Sequence, residues 1–359
     1  MNLNFEHRSL GQRVVFGAGK AAENLAAEVA RLDAKRVMVI ATRSAADNTA
    51  DITAGIPVAL HYDDVVPHVP VETAEKARDA AAEHGIDALV CIGGGSATGL
   101  AKAIALTTGL AIVAVPTTYA GSEGTNVWGL TDAGRKTTGV DDRVLPVTVI
   151  YDAELTLSLP AALSVASGLN AMAHCIDAMW SPGTDPINQV MAAEGIRALN
   201  RGLPLISVNM EDVEGRAMAL YGAYLSAVAF TSAGSAMHHK ICHVLGGTWN
   251  MPHAETHATV LPYLLAFNAP AAPDAAGRIA AAFGVEEPVA GLNRLRDALN
   301  APKALQDYGF TEADIAEAVE LMLPVIPQSN PRPVTRQNLT ALLTAATAGD
   351  DPGTLTNAG

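Results

Sequence analysis

The stretch from Asp87 to Leu106, DALVCIGGGSATGLAKAIAL, settles the fold class. DALVCI is a short apolar run of the kind that forms a buried parallel strand. Gly93-Gly94-Gly95-Ser96 follows at once, and the residues to Leu106 read as a helix. Strand, glycine turn and helix start together let backbone N–H groups approach a pyrophosphate at a helix N-terminus. Consecutive glycines cost conformational entropy, so a plain turn has little use for three of them. The spacing is not G-x-G-x-x-G, and the ordinary dinucleotide fingerprint is absent.

Upstream, Arg13 to Phe16 reads as a strand, and Gly17-Ala18-Gly19-Lys20 opens a helix through Leu32. Arg36 to Ala41 is a buried-type strand that ends at Thr42 and Arg43. A residue just past the second strand of a dinucleotide fold often senses the adenosine ribose, and a base there tolerates a 2′-phosphate. Arg43 fits that role and equally fits a solvated surface arginine. Val58 to Tyr62 forms a strand and Val71 to His84 an amphipathic helix. Downstream, Leu110 to Pro116 is a strand with Thr117 and Thr118 at its carboxyl end, where open α/β sheets place ligands. The segment from Tyr119 to Asp132, YAGSEGTNVWGLTD, reads as a loop and brings Ser122. Lys136 lies in a polar hairpin, and Pro146 to Tyr151 returns as a strand. This alternation predicts an α/β dinucleotide-binding domain, a parallel sheet with helices on both faces.

The texture changes at Leu159-Pro160. Beyond it only Ala-rich stretches at helical spacing appear, over 161–180, 186–201, 211–232, 234–246, 254–267, 275–283, 288–299, 312–323 and 335–348. Two domains are expected, an α/β domain over 1–159 and an all-α domain over 160–359, with the active site in the cleft between them.

The chemistry concentrates in the second half. HHKICHVLGGTWNMPHAETH, His238 to His257, holds five of the ten histidines. His239 and His243 share a helix face, as do Asn170 and His174 in SGLNAMAHCIDAMW. A Gly-Gly break precedes His253, which stands directly behind Pro252. Asn170, His174, His239 and His253 can converge as three imidazoles and an amide. An amide offers no charge and binds transition metals poorly, so two readings stand: a weakened metal site, or a metal-free pocket of proton donors and anion hydrogen-bonders. Core histidines with ordinary partners would explain one or two of the five.

Composition bounds the rest. With 49% hydrophobic and 17% charged residues the chain folds, and a net charge of −14 argues against nucleic acid as the main partner. Neither a signal peptide nor an apolar run of membrane-spanning length is visible. Three cysteines make no disulfide framework, which fits a reducing cytoplasm.

Taken together, Gly93-Gly94-Gly95-Ser96 with Ala101-Lys102, Pro116-Thr117-Thr118 with Ser122-Glu123, and the His174/His239/His253 triple resemble the iron-containing alcohol dehydrogenase family over nearly the whole chain. The resemblance implies its dehydroquinate synthase-like architecture. In that family an aspartate and three histidines hold a divalent metal. Asn170 falls where the aspartate should be, and Gly99 where the glycine-turn helix usually carries another. Both departures, with GLNAMAHCIDAMW, YAGSE, PHAETHA and Asn330-Pro331-Arg332-Pro333-Val334-Thr335, are similar to one branch regarded as metal-independent.

That branch implies reduction of the C=C bond of maleylacetate to 3-oxoadipate with NADH or NADPH, in aromatic-compound degradation. It implies proton delivery or enolate stabilisation by His243 and His253, with substrate oxygens bound by His174, His239 and Asn170, and no metal ligand. Lys136, Thr117, Thr118, Ser122 and Leu163 carry over as cofactor neighbours. A cytoplasmic homodimer acting on a small oxo-diacid is expected. The competing expectations are a metal-dependent alcohol or polyol dehydrogenase of the same fold and a non-catalytic nucleotide-binding protein. A lyase on a related fold is disfavoured by Asn170.

Overall fold

The computed structural model describes residues 4–132 and 135–355, and the side chains at 44, 46, 47, 135 and 136 fall outside that description. The chain divides into two compact units, Leu10–Leu159, and Pro160–Gly359 together with Met1–Ser9. The sequence had placed that N-terminal segment with the α/β domain. It joins the helical unit instead, where His7 Nδ1 meets Asp185 Oδ2 at 2.8 Å.

The first unit runs β1 (Arg13–Phe16), α1 (Ala21–Arg31), β2 (Val37–Ile40), α2 (Ala46–Thr53), β3 (Val58–Tyr62), α3 (Val71–Glu83), β4 (Ala88–Gly93), α4 (Gly95–Thr108), β5 (Ala111–Pro116), β6 (Val127–Asp132), β7 (Arg135–Val140) and β8 (Thr148–Tyr151). Six strands form one parallel sheet in the order β1-β8-β5-β4-β2-β3. Side chains alternate across a strand. Val37 and Val39, Val90 and Ile92, Val113 and Val115 therefore share a core with Leu25 and Val29 of α1. Their neighbours Met38, Leu89, Cys91 and Ile112 are buried on the opposite face, where α4 packs on β4 and α3 on α4. The chain reverses its direction of travel across the sheet between β2 and β4, so the carboxyl end of β4 lies at a topological switch point.

Val127–Asp132 is a strand, paired antiparallel with β7, where a loop was expected. Helix α2 was not anticipated, because its sequence ADNTADIT carries little apolar periodicity.

The second unit holds α5 (Ala161–Ala178), α6 (Pro186–Val208), α7 (Val213–Ala233), α8 (Met237–Trp249), α9 (His253–Asn268), α10 (Pro273–Phe283), α11 (Pro288–Ala298), α12 (Ile315–Met322) and α13 (Arg336–Ala348). Helix α5 is its axis, buried continuously from Ala166 to Ala178 and packed on α6, α7 and α9. No single described helix is long and apolar enough to cross a membrane. Helix α6 continues through Pro204 past the expected end at 201, because Leu203 and Ile206 on either side are buried. Helix α8 runs straight through Gly246-Gly247 and stops at Asn250, whose φ of 51° is left-handed. The expected Gly-Gly break is therefore absent, and the turn that delivers His253 comes three residues later.

Candidate active site

At the end of β4 the backbone is shaped to receive an anion. Gly93 takes φ 149°, and a Cβ on Gly94 would lie 2.9 Å from Thr118 Cγ2. The missing side chain lets the turn rest against the end of β5, where Thr117 N donates to Gly93 O at 3.0 Å. Helix α4 begins at Gly95 with Ser96 in its first turn, and the leading amides of a helix have no carbonyl within it to bond. Ser122 Oγ, buried and without a partner, stands 4.0 Å from where a Cβ of Gly95 would be. Unpaired amides and an unpaired hydroxyl around a glycine turn fit a dinucleotide phosphate.

Arg43 lies past the end of β2, exposed, with its Nε 2.8 Å from Asp63 Oδ2. Both line a hollow of about 410 Å³ with Thr42, His61 and Tyr62. Lys136 pairs with Thr131 through the β6–β7 ladder, and its side chain lies outside the described residues. Leu163 sits in the first turn of α5 in the helical unit, 37% exposed.

The imidazoles gather within the helical unit. Asn170, His174 and Asp177 lie at i, i+4 and i+7 along α5, on one face. The His174 ring stacks on that of His239 with centroids 4.8 Å apart, and Phe230 packs against both. His243 lies 6.1 Å from His239 and 6.4 Å from His253, centroid to centroid. The four expected histidines thus form one patch, in which His174 and His239 are buried and His243 and His253 exposed.

Asp177 organises this patch. Its carboxylate accepts from the backbone N of Ala236 at 2.9 Å and of His238 at 3.3 Å, capping α8, which lacks a side-chain cap of its own. Its Oδ2 also lies 2.7 Å from His239 Nδ1. While Asp177 is ionised it can only accept, so Nδ1 then carries the proton and Nε2 presents a bare lone pair. Burial pushes the Asp177 carboxyl up to about 7, against the pull of these donors. Burial likewise holds His174 down to about 4 and His239 well below its ordinary value, so both imidazoles are neutral at pH 7.

Behind the patch, His238 Nε2 lies 3.0 Å from His257 Nδ1 and 3.6 Å from Cys242 Sγ. Asp177, His238 and His257 were not among the expected site residues, although Asp177 follows His174 by three and His257 follows His253 by four.

The expected ligand set has some features of a divalent-metal site. His239 Nε2 is bare and backed by a carboxylate, as a metal ligand would be. Asn170 Oδ1 and His174 Nδ1 are also buried and unpartnered. The set contains no anion, however. Three imidazoles can hold a divalent ion by themselves, but here an amide replaces the carboxylate that would offset its charge, and Asp177 is already engaged by the α8 amides and His239 Nδ1. Among the described residues, the three ligand-type side chains whose atoms all lie within 4.8 Å of one another are His238, Cys242 and His257. The first two lie one helical turn apart, and the imidazoles of the trio are already hydrogen-bonded to each other. The residues at the expected seat fit a divalent metal poorly.

A parallel sheet that turns through glycines into a phosphate-ready helix, followed in the same chain by a helical unit walled with neutral imidazoles, has the parts of a nicotinamide-dependent oxidoreductase. The family models agree: iron-containing alcohol dehydrogenase matches residues 11–153, and the C-terminal model of the Fe-containing alcohol dehydrogenase family matches residues 164–347. The chain belongs to the iron-containing alcohol dehydrogenase family. Among its relatives, the maleylacetate reductase of Pseudomonas sp. (strain P51) is 44% identical over 352 residues, 98% of this chain and 99% of that one. Among solved structures, the iron-containing alcohol dehydrogenase of Corynebacterium glutamicum is 61% identical with a TM-score of 0.98, covering 99% of this chain and 100% of that chain. The maleylacetate reductase of Agrobacterium tumefaciens is 40% identical with a TM-score of 0.93, covering 97% and 99%.

Proposed function

We propose that this chain is an NAD(P)H-dependent maleylacetate reductase that converts the C=C bond of maleylacetate to the saturated 3-oxoadipate without a metal. Likeness to maleylacetate reductases along nearly the whole chain carries the reading, and the uncharged donor set at Asn170 supports the metal-free form of it. In this reading Gly93, Gly94, Gly95, Ser96, Thr117, Thr118 and Ser122 hold the dinucleotide, with Lys136 and Leu163 as further neighbours. When bound, the dinucleotide supplies the hydride.

The chain's own side chains do the rest. Reduction of a conjugated C=C bond leaves enolate charge on the ketone oxygen and requires one proton at the adjacent carbon. The Asn170 amide and the neutral His174 ring donate to substrate oxygens. His239, with its proton held on Nδ1 by Asp177, is confined to accepting at Nε2, so it orients a donor and does not bind an oxyanion. His243 and His253, both exposed, exchange protons with water and deliver one to carbon.

The choice between NADH and NADPH falls to Arg43, whose partner Asp63 is a surface carboxylate that a 2′-phosphate can displace at little cost. A cytoplasmic homodimer belongs to the same proposal and rests on likeness alone. The test follows nicotinamide absorbance with maleylacetate, with and without chelator. Equal turnover is expected under both conditions. Chelator-sensitive turnover with stoichiometric iron or zinc would overturn the metal-free reading, and the absence of NAD(P)H oxidation would overturn the reductase.

A further inference from the structure

Lys102 stands in α4 seven residues after Gly95, two helical turns from the phosphate-ready end. It is 1% exposed. Its Nζ donates to Ser122 O at 2.6 Å, Thr125 O at 2.8 Å, Thr125 Oγ1 at 2.9 Å and Val127 O at 2.8 Å. An ammonium buried among peptide oxygens is expensive to desolvate. Burial accordingly pulls Lys102 down to about 7, with the negative charge of Glu123 opposing the fall. A methionine would fill the same volume at no such cost, so the charge needs an explanation beyond packing.

The loop it meets provides one. From Gly121, at φ 77°, through a short 3-10 turn at Ser122–Gly124 to the start of β6, the backbone belongs to no sheet. It is tied down by side chains: Gln12 Nε2 donates to Glu123 O at 2.8 Å, Tyr151 Oη to Glu123 Oε1 at 2.8 Å, and Asn126 Nδ2 to Asp142 Oδ1 at 2.8 Å. Lys102 is the tie that gathers three of its carbonyls at one point, and it comes from α4 itself. The same loop carries the unpartnered Ser122 hydroxyl toward Gly95 at the head of α4.

We propose that Lys102 is a positioning residue that fixes the Ser122 hydroxyl against the first turn of α4, so that helix amides and hydroxyl meet the cofactor phosphate as one preformed cradle. The inference rests on the nicotinamide reading above. A preformed cradle binds more tightly because its ordering is complete before the ligand arrives. Without the ammonium, the carbonyls of Ser122, Thr125 and Val127 lose their shared donor and the loop drifts from the helix.

The experiment is a double-mutant cycle on cofactor binding, read by NADH and NADPH fluorescence in the full-length protein. Lys102→Met and Ser122→Ala should each raise Kd at least about tenfold. The double variant should be no weaker than the poorer single one, because Lys102 acts through Ser122. For Lys102→Met the loss should fall on the KM for the cofactor, with kcat at saturating cofactor within about threefold of wild type, since the histidines are untouched. Lys102→Gln, which keeps two N–H donors, should fall between. Binding by Lys102→Met within about twofold of wild type, or additive losses in the double variant, would overturn the proposal. So would failure of both Lys102 variants to fold, which would make Lys102 a folding residue. A wild-type protein that binds neither NADH nor NADPH would instead overturn the cofactor reading.

Discussion

The Asp177 carboxylate accepts from backbone amides at the start of α8 and from the His239 ring, which couples the fold of one helix to the tautomer of one imidazole. His174, His238, His239 and His257 are all lowered, chiefly by burial. An unfolded histidine takes up its proton near pH 6.5, whereas folded His174 does so only near 4 and His238 near 3. Between those values the unfolded state binds more protons, so stability rises with pH and is lost as pH falls from about 6.5 toward 4. Asp177 has the opposite sign, its folded carboxyl holding a proton up to about 7 while an unfolded one releases it near 3.9. Glu123, also raised by burial, shares the sign of Asp177. Four groups oppose these two, so acidification destabilises, by roughly 1 kcal/mol per buried histidine for each pH unit below 6.5. Thermal midpoints measured from pH 7 to 5 should drop steadily, and a flat profile would contradict this balance. His243, exposed beside the buried pair, is the strongest candidate for proton delivery. His243→Ala should lower kcat about 100-fold with little change in NADH affinity, and unchanged turnover would remove it from the mechanism. The i, i+4 pair Asn170/His174 and the clustering of histidines were legible in the sequence. The His238–His257 hydrogen bond was not, because it joins α8 to α9 and no spacing within one helix encodes a contact between two.

Helix α4 shows how an element can be read correctly and still hold a surprise. Its position after β4 and its glycine turn followed from the sequence alone. What occupies the place beside Gly99 did not. A Cβ there would lie 2.9 Å from Val69 Cγ2, and Val69 reaches that position with φ 47°, next to His68 at φ 64°. A β-branched residue at positive φ is strained, and the segment is held by Thr131, whose Oγ1 donates to His68 O at 2.8 Å and whose N donates to Val69 O at 3.1 Å. Gly99→Ala should improve helix propensity yet lower stability by about 1–2 kcal/mol through the clash. The loss should vanish in a Val69→Ala background, where Cγ2 is gone. A loss of the same size in both backgrounds would place its cause elsewhere. Pro204 and Gly246-Gly247 mislead for a related reason. Local rules end a helix at such residues, but burial of the flanking Leu203, Ile206 and Leu245 outweighs a propensity term of about 1–3 kcal/mol.

For the whole molecule, ligand linkage gives the most direct check. A dinucleotide that binds only folded protein stabilises it by about 2.7 kcal/mol at 100 times its Kd, worth about 5–10 °C for a unit of this size. NADH or NADPH should raise the thermal midpoint by that amount, and no shift with either would rule out the proposed cradle. The sequence by itself determined the layered α/β first half, the helical second half, the glycine turn and the company of histidines, because periodicity and turn chemistry are local and survive without a partner element. Tertiary structure alone decided which nitrogen of His239 keeps its proton, that a lysine inside α4 would hold the Ser122 loop, and that Val69 would stand against Gly99. Each depends on two segments distant in the chain meeting at hydrogen-bond or contact distance in a place closed to water, where an unpaired polar atom or an extra methyl has nowhere else to go.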